Sequence, residues 1–219
     1  MLQRPSLPFA IALCGAALVP GEAGLRLSSA LFGLGVLLPL LGLIAGTGVI
    51  GPEIDDGSIV YLLAKPLKRP VIVVTKLAVA IGVIALFGAL PMFVAGMILV
   101  GEVGFALSYA IGALAAGMAY CALFLLLAVV TRNAVVIGLL YALIWESLIG
   151  QFVPGAQVLS IQQWGLALTE RLVGSRAAGL GITSAADLGV ALPLLIILVV
   201  GCTWYAGQRL RSLRFSEES

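Results

Sequence analysis

The chain has 219 residues, of which 62% are hydrophobic and only 10% are charged, against roughly 25% charged residues in an ordinary soluble domain. Too few polar side chains are present to cover a water-facing surface, so the composition excludes a soluble globular protein and predicts a chain that lies mostly in lipid. The net charge of +2 and the absence of His weigh against nucleic-acid binding and remove the commonest general base and metal ligand.

Intervals without charge predict where the chain crosses the membrane, because a spanning helix needs about 20 apolar residues. Four intervals of 26, 25, 29 and 21 uncharged residues follow Arg26, Lys76, Glu102 and Asp187. A fifth is interrupted only by Glu146. With an N-terminal span, we predict an all-α polytopic protein with a single transmembrane domain over residues 1–219 and helices at about 7–20, 29–50, 71–97, 106–130, 134–153 and 188–208.

The N-terminal segment is the shortest of the six, with 17 uncharged residues between Arg4 and Glu22. Its apolar centre, Phe9 to Val19, also has the length of a signal-peptide hydrophobic region. No convincing small-x-small cleavage site precedes Gly24, so a retained helix is the expectation. The three cysteines, Cys14, Cys121 and Cys202, fall in apolar stretches, where small buried side chains are the expected reading.

The positive charges predict which side of the membrane each loop occupies. On the six-helix layout, one side carries nine Lys and Arg residues and the other carries three. Both termini are therefore predicted to be cytoplasmic.

The most patterned segment is the predicted cytoplasmic loop over residues 51–70. Ser58 is suited to cap a helix beginning at Ile59, with Asp55 and Asp56 near its positive end, and Pro66 would end it. We expect a short helix with an apolar face that needs a groove in a partner. Lys76, in the next span, is expected to reach back to the cytoplasmic headgroups.

The spacing Glu53-x-x-x-Gly57-Ser58-x-x-x-Leu62-Leu63-x-x-Pro66-x-x-Arg69 resembles the cytoplasmic motif of the type-2 ABC permeases. The resemblance extends to the six-helix layout. It departs from the family at Ser58, where Thr is commoner, and at the N-terminus, which lacks most of the usual amphipathic helix. It implies that the loop is a coupling helix that docks on an ATPase subunit, through Glu53, Asp55, Asp56, Gly57, Ser58, Leu62, Leu63, Pro66 and Arg69.

The function implied is that of the permease subunit of an ATP-driven exporter in a cell membrane, a bacterial or archaeal inner membrane. Two copies of a cytoplasmic ATPase would bind ATP and Mg, and a second permease copy or homologue would complete the complex. The chain itself has no Gly-x-x-x-x-Gly-Lys-Ser/Thr phosphate loop, so we expect no enzyme activity and no cofactor in this subunit. The scarcity of polar groups in the spans favours a hydrophobic or amphiphilic substrate.

Other functions remain open at this point. An ABC complex could instead move an ion or serve the maturation of an extracytoplasmic partner protein. A secondary transporter without an ATPase would normally show internal repeats, and none is evident. A membrane enzyme acting on lipids would have to use Glu146, Glu170 and Asp187, which lack a paired spacing. Alternatively, the loop could be a helix on the membrane surface whose Lys65, Lys68 and Arg69 bind anionic lipid.

Two further residues are candidates for roles outside the loop. Glu146 is predicted to lie in the outer half of the membrane, where an ionised carboxylate is costly, facing either the translocation path or a dimer seam. The alternative is that it reaches the outer interface beside Trp145 and Gln151. Trp164 is predicted to be an interfacial anchor in an extracytoplasmic segment, 154–187, that lies in or dips into the outer leaflet.

Overall fold

The computed structural model describes residues 33–55, 69–149, 155–174 and 184–212, and every regular element in these ranges is helical. This confirms the all-α prediction for the part of the chain described. The helices are α1 (Leu38–Gly48), α2 (Gly51–Asp55), α3 (Arg69–Ile84), α4 (Leu90–Val100), α5 (Val103–Val130), α6 (Ala134–Leu140), α7 (Ile161–Val173) and α8 (Leu188–Ser212).

Four helical stretches are long and apolar enough to cross a membrane: Gly35–Glu53, Val71–Ile98, Val103–Val130 and Leu188–Leu210. They fall on four of the six predicted spans. At the fifth predicted span, 134–153, the apolar helix is shorter and covers Ala134–Glu146. The predicted helix at 7–20 lies outside the described residues. The total of six spans and the cytoplasmic position of both termini stay predictions.

Two of the helices, α1 and α4, carry a proline in their first turn, and a wider π-helical turn precedes each of them. The turn Gly33–Leu37 leads into α1, which carries Pro39, and the turn Ala85–Ala89 joins α3 to α4, which carries Pro91. A proline inside a helix has no N–H to donate and crowds the carbonyl four residues earlier. A local widening at that carbonyl relieves the clash, so α3 and α4 remain one continuous span.

Helix α5 is the centre of the bundle, and the other helices pack around it. In the most apolar stretch of α5, two-thirds of the residues are buried within the protein, whereas only 6% are buried in the corresponding stretch of α8. The outer helices expose large apolar side chains such as Phe87, Ile197 and Trp204. In a membrane these side chains face lipid, which is the environment that the composition predicted.

The close packing of α1 on α5 depends on two glycines four residues apart. A Cβ atom added to Gly42 would lie 2.6 Å from Cβ of Tyr120, and one added to Gly46 would lie 2.9 Å from the carbonyl oxygen of Cys121. Helices in lipid gain stability from fit between surfaces, not from hydrophobicity. The Gly42–Gly46 pair therefore fixes how near α1 approaches the central helix.

Candidate coupling site and the interrupted fifth span

The two ends of the predicted coupling loop are joined by an ion pair. Glu53 lies in α2, Lys76 lies in α3, and Nζ of Lys76 donates to Oε1 of Glu53. The two side chains are only 29% and 23% exposed, respectively, so water screens the pair less than it screens a pair on an open surface. The ammonium of Lys76 contacts Glu53, and its expected reach to the cytoplasmic headgroups stays a prediction.

The remaining predicted coupling residues are partly beyond what the structure describes. Asp55 is the last residue of α2 and Arg69 is the first residue of α3, so they flank the loop, and the structure describes the backbone of each. The segment predicted as a loop over 51–70 thus begins with helix α2. The following predicted site residues, and the helix expected after Ser58, lie outside the described residues: Asp56, Gly57, Ser58, Leu62, Leu63 and Pro66.

A cleft of about 210 Å³ lies beside α2, where α1 and α2 meet the end of α5 and the start of α6. Added Cβ atoms at Gly48 and Gly51 would meet nothing within 4 Å, so this wall of the cleft is open. Arg132 is exposed at its rim. On the predicted orientation the cleft faces the cytoplasm, next to the Glu53–Lys76 pair.

Glu146 is completely buried inside the chain and accepts three hydrogen bonds. Its Oε2 accepts from Oγ of Ser160 at 2.5 Å, and its Oε1 accepts from the backbone N–H of Ile161 at 3.0 Å and from the hydroxyl of Tyr141 at 3.2 Å. The carboxylate is thus enclosed by its own chain, and the alternative expectation, a position at the outer interface, stays a prediction as well. We call Glu146, Tyr141, Ser160 and Ile161 the polar junction. A role for Glu146 in the path or at a dimer seam stays a prediction.

Tyr120 of α5 adds a further hydroxyl to this region. Its side chain is fully buried, it interacts electrostatically with Glu146, and it lies near the backbone of Gln162. Its hydroxyl makes no hydrogen bond of good geometry among the described residues. The polar junction is therefore enclosed by protein on the α5 side as well.

Contacts with α5 show at which height along that helix the two segments that meet at the polar junction lie. Counting from the Val130 end of α5 at about 1.5 Å per residue, Phe124 stands about 9 Å along it, Ala116 about 21 Å and Gly112 about 27 Å. Tyr141 packs edge-on against Phe124, with ring centroids 6.1 Å apart. Gly165 of α7 lies against both Ala116 and Gly112. Helix α7 thus continues in the direction of α6, farther along α5.

The helix at the predicted fifth span therefore does not run directly into α7. We call α6, the turn that follows it and α7 together the interrupted fifth span, and its crossing of the membrane stays a prediction. Its first part is α6 with the π-helical turn Tyr141–Ile149, and its second part is α7, which follows the short 3-10 turn Ala156–Leu159. The N-terminus of α7 leaves backbone N–H groups that no residue within the helix can satisfy, and Ile161 is fully buried, so its donor needs a partner within the protein. Glu146 satisfies the donor of Ile161 from the other half of the span.

Trp164 is one turn into α7, and its side chain lies within the protein. It is 5% exposed, and its indole N–H donates to the carbonyl oxygen of Val158 at 2.7 Å. This bond joins α7 to the turn that precedes it. The role predicted for Trp164, an anchor at the outer interface, has not been tested.

Two side chains of α7, Gln163 in its first turn and Glu170 near its end, are bound to the residues that lead into α8. Oε2 of Glu170 accepts from both the backbone N–H and the hydroxyl of Ser184, at 2.8 and 2.6 Å, and Oε1 of Gln163 accepts from the backbone N–H of Ala185 at 3.1 Å. No pattern in the sequence indicates these contacts. Within the described ranges, no group of three His, Cys, Asp or Glu side chains is placed to hold a metal ion.

A family model described as ABC-2 family transporter protein matches residues 17–204, which is most of the chain. The chain belongs to this ABC-2 family. No curated protein and no solved structure matches it.

Membership in the ABC-2 family confirms the resemblance to the type-2 permeases. It identifies the chain, with its several apolar helices, as a multi-pass membrane protein. Membrane proteins of the ABC-2 family usually function with an ATPase partner and are generally not enzymes themselves. The ABC-2 match includes both the Glu53–Lys76 pair and the interrupted fifth span.

Proposed function

We propose that this chain is the permease subunit of an ATP-driven exporter, in which two cytoplasmic ATPase subunits drive a pair of permeases. The pair would be two copies of this chain or this chain and a homologue. ATP and Mg would bind to the ATPase subunits. The complex would reside in a bacterial or archaeal cell membrane and export a hydrophobic or amphiphilic substrate.

The observation that carries the coupling proposal is the ion pair between Glu53 and Lys76. It joins the end of one span to the beginning of the next at the base of the predicted docking loop. Because both side chains are partly buried, removal of one would leave the other less well compensated than on an open surface. If an ATPase moved the loop, the two spans would therefore move together.

The buried polar groups support an apolar cargo. Three of the four buried Ser and Thr hydroxyls among the described residues bond to a carbonyl of their own helix: Thr47 to Leu43, Ser108 to Gly104 and Thr169 to Gly165. Such groups are already satisfied and offer little to a polar substrate.

The partner can be tested by purifying the tagged chain from its native membranes in mild detergent and measuring ATP hydrolysis in the eluate. We expect a co-purifying ATPase whose subunit carries a phosphate-binding loop. A Glu53→Ala, Arg69→Ala double variant is expected to lower the amount of this ATPase, and Glu102→Gln, an exposed change at the opposite end of the bundle, is expected to leave it unchanged. A preparation free of ATPase would overturn the proposal and favour a secondary transporter.

A further inference from the structure

The interrupted fifth span contacts other parts of the protein at each of its two ends. At its inner end, α6 begins at the cleft beside α2, because Ala134 and Val135 line that cleft. Toward its outer end, α7 is bound through Glu170 to Ser184, which precedes α8, and Gln163 in the first turn of α7 bonds to the neighbouring Ala185. The chain joins the two parts through residues 150–160. The hydrogen bonds of the polar junction join them directly.

The contact across the junction is short and directional. Ser160 is the residue before α7, and its side chain does not cap its own helix. Its hydroxyl donates to Glu146 instead, and the first N–H of α7 donates to the same carboxylate. Helix dipoles favour an anion at this position. One side chain of the inner half therefore holds both the terminal backbone and the terminal side chain of the outer half.

The surface along which α7 lies is made of small residues. An added Cβ at Gly165 would lie 2.9 Å both from Cβ of Ala116 and from the carbonyl oxygen of Gly112. Smooth surfaces of this kind permit packed helices to slide by small distances without repacking large side chains. The position of α7 along α5 is then determined by the polar contacts at its two ends.

We propose that Glu146 is a positioning residue for transport: its carboxylate makes the outer half-helix α7 follow the inner half α6, so that movement beginning beside the coupling segment reaches the outer surface. Glu146 does not contact substrate in this account. It acts through Ser160 and Ile161, and Glu170 then conveys the movement of α7 to the start of α8. The inference rests on the proposed function, since the movement comes from an ATPase.

The test measures distances between spin labels in the complex of permease and ATPase, reconstituted in nanodiscs of phosphatidylcholine and phosphatidylglycerol. After the native cysteines are replaced by alanine, one label pair reports the inner half, at Val135 and Val71, and another reports the outer half, at Leu172 and Ile98. All four positions are exposed. Each pair is measured without nucleotide and with ATP and vanadate.

In the otherwise unchanged protein we expect ATP and vanadate to shift both distances. In Glu146→Ala the inner shift is expected to remain and the outer shift to be lost. Glu146→Gln, which keeps an acceptor for Ile161 and can donate to Ser160, should restore the outer shift. A change that only weakened the fold would affect both pairs alike, so the split between inner and outer pairs distinguishes positioning from stability.

An outer shift in Glu146→Ala as large as in the unchanged protein would overturn the inference. If Glu146→Ala does not assemble, Ser160→Ala replaces it, because that variant removes one of the two contacts and should reduce the outer shift. The absence of any shift at the inner pair in the unchanged protein would contradict the proposed function instead. The two failures are therefore distinguishable.

Discussion

The backbone N–H of Ile161 donates to the carboxylate of Glu146, 15 positions earlier in the chain, at 3.0 Å. A cap of this kind usually comes from the residue immediately before the helix. Here that residue, Ser160, also donates to Glu146. The N-terminus of α7 is consequently satisfied by another helical segment, and the stability of the two segments is coupled.

Replacing Glu146 with Ala should destabilise the protein by about 2–4 kcal/mol, because it removes a helix cap and leaves buried donors unpaired. Glu146→Gln keeps most of the hydrogen bonds and should cost about half as much or less. Thermal unfolding of the detergent-solubilised protein measures both. An exposed carboxylate, Glu102, provides the control as Glu102→Ala. Equal melting temperatures for Glu146→Ala and that control would contradict the role of Glu146 as a cap.

A second prediction concerns the contact between α5 and α7. Gly112→Ala should destabilise by about 1–3 kcal/mol through overpacking, because the added Cβ would overlap Oγ1 of Thr169 and lie 2.7 Å from the carbonyl oxygen of Gly165. Gly104→Ala is the matched control on the same helix, since its Cβ would meet nothing within 4 Å. That change should be neutral or stabilising by about 0.5–1 kcal/mol. Equal melting temperatures for the two variants would show that α7 does not lie against Gly112.

Lipid quenching distinguishes a packed Trp164 from an interfacial one. In variants that keep a single tryptophan, brominated phosphatidylcholine should quench Trp204 strongly, because that residue is 65% exposed on α8, and quench Trp164 weakly, because it is 5% exposed. Strong quenching of Trp164 would favour the anchor predicted from sequence. Phe in place of the other tryptophans keeps the packing volume close to the original.

Most of the spans could be predicted from sequence because charge is expensive in lipid. Uncharged intervals between residues such as Lys76 and Glu102 mark helices regardless of how those helices pack. The same rule gave a fifth span over 134–153 with an isolated acid in it. It could not show that Glu146 is compensated by Ser160 and Ile161, because those partners come from 14 and 15 positions later.

A local signal did exist for the start of α7. Ser160 and Gln163 have the spacing of a capping box, which predicts a helix beginning at Ile161. The helix does begin there, but the side chains bond elsewhere: Ser160 to Glu146 and Gln163 to Ala185. Likewise, the pairing of Lys76 with Glu53 spans 23 positions. Patterns within one helical turn locate the elements and do not reveal which distant partners they take.

The Glu53–Lys76 pair is proposed to couple the docking loop to the spans. This coupling is tested most directly by ATP turnover of the reconstituted complex, in the unchanged protein, in Glu53→Lys, in Lys76→Glu and in the double exchange that reverses the pair. Each single change should lower the stimulation of the ATPase by the permease several-fold, because it places like charges together, and the double exchange should restore most of it. Single variants with unchanged turnover, or a double exchange no better than either single change, would contradict the claim.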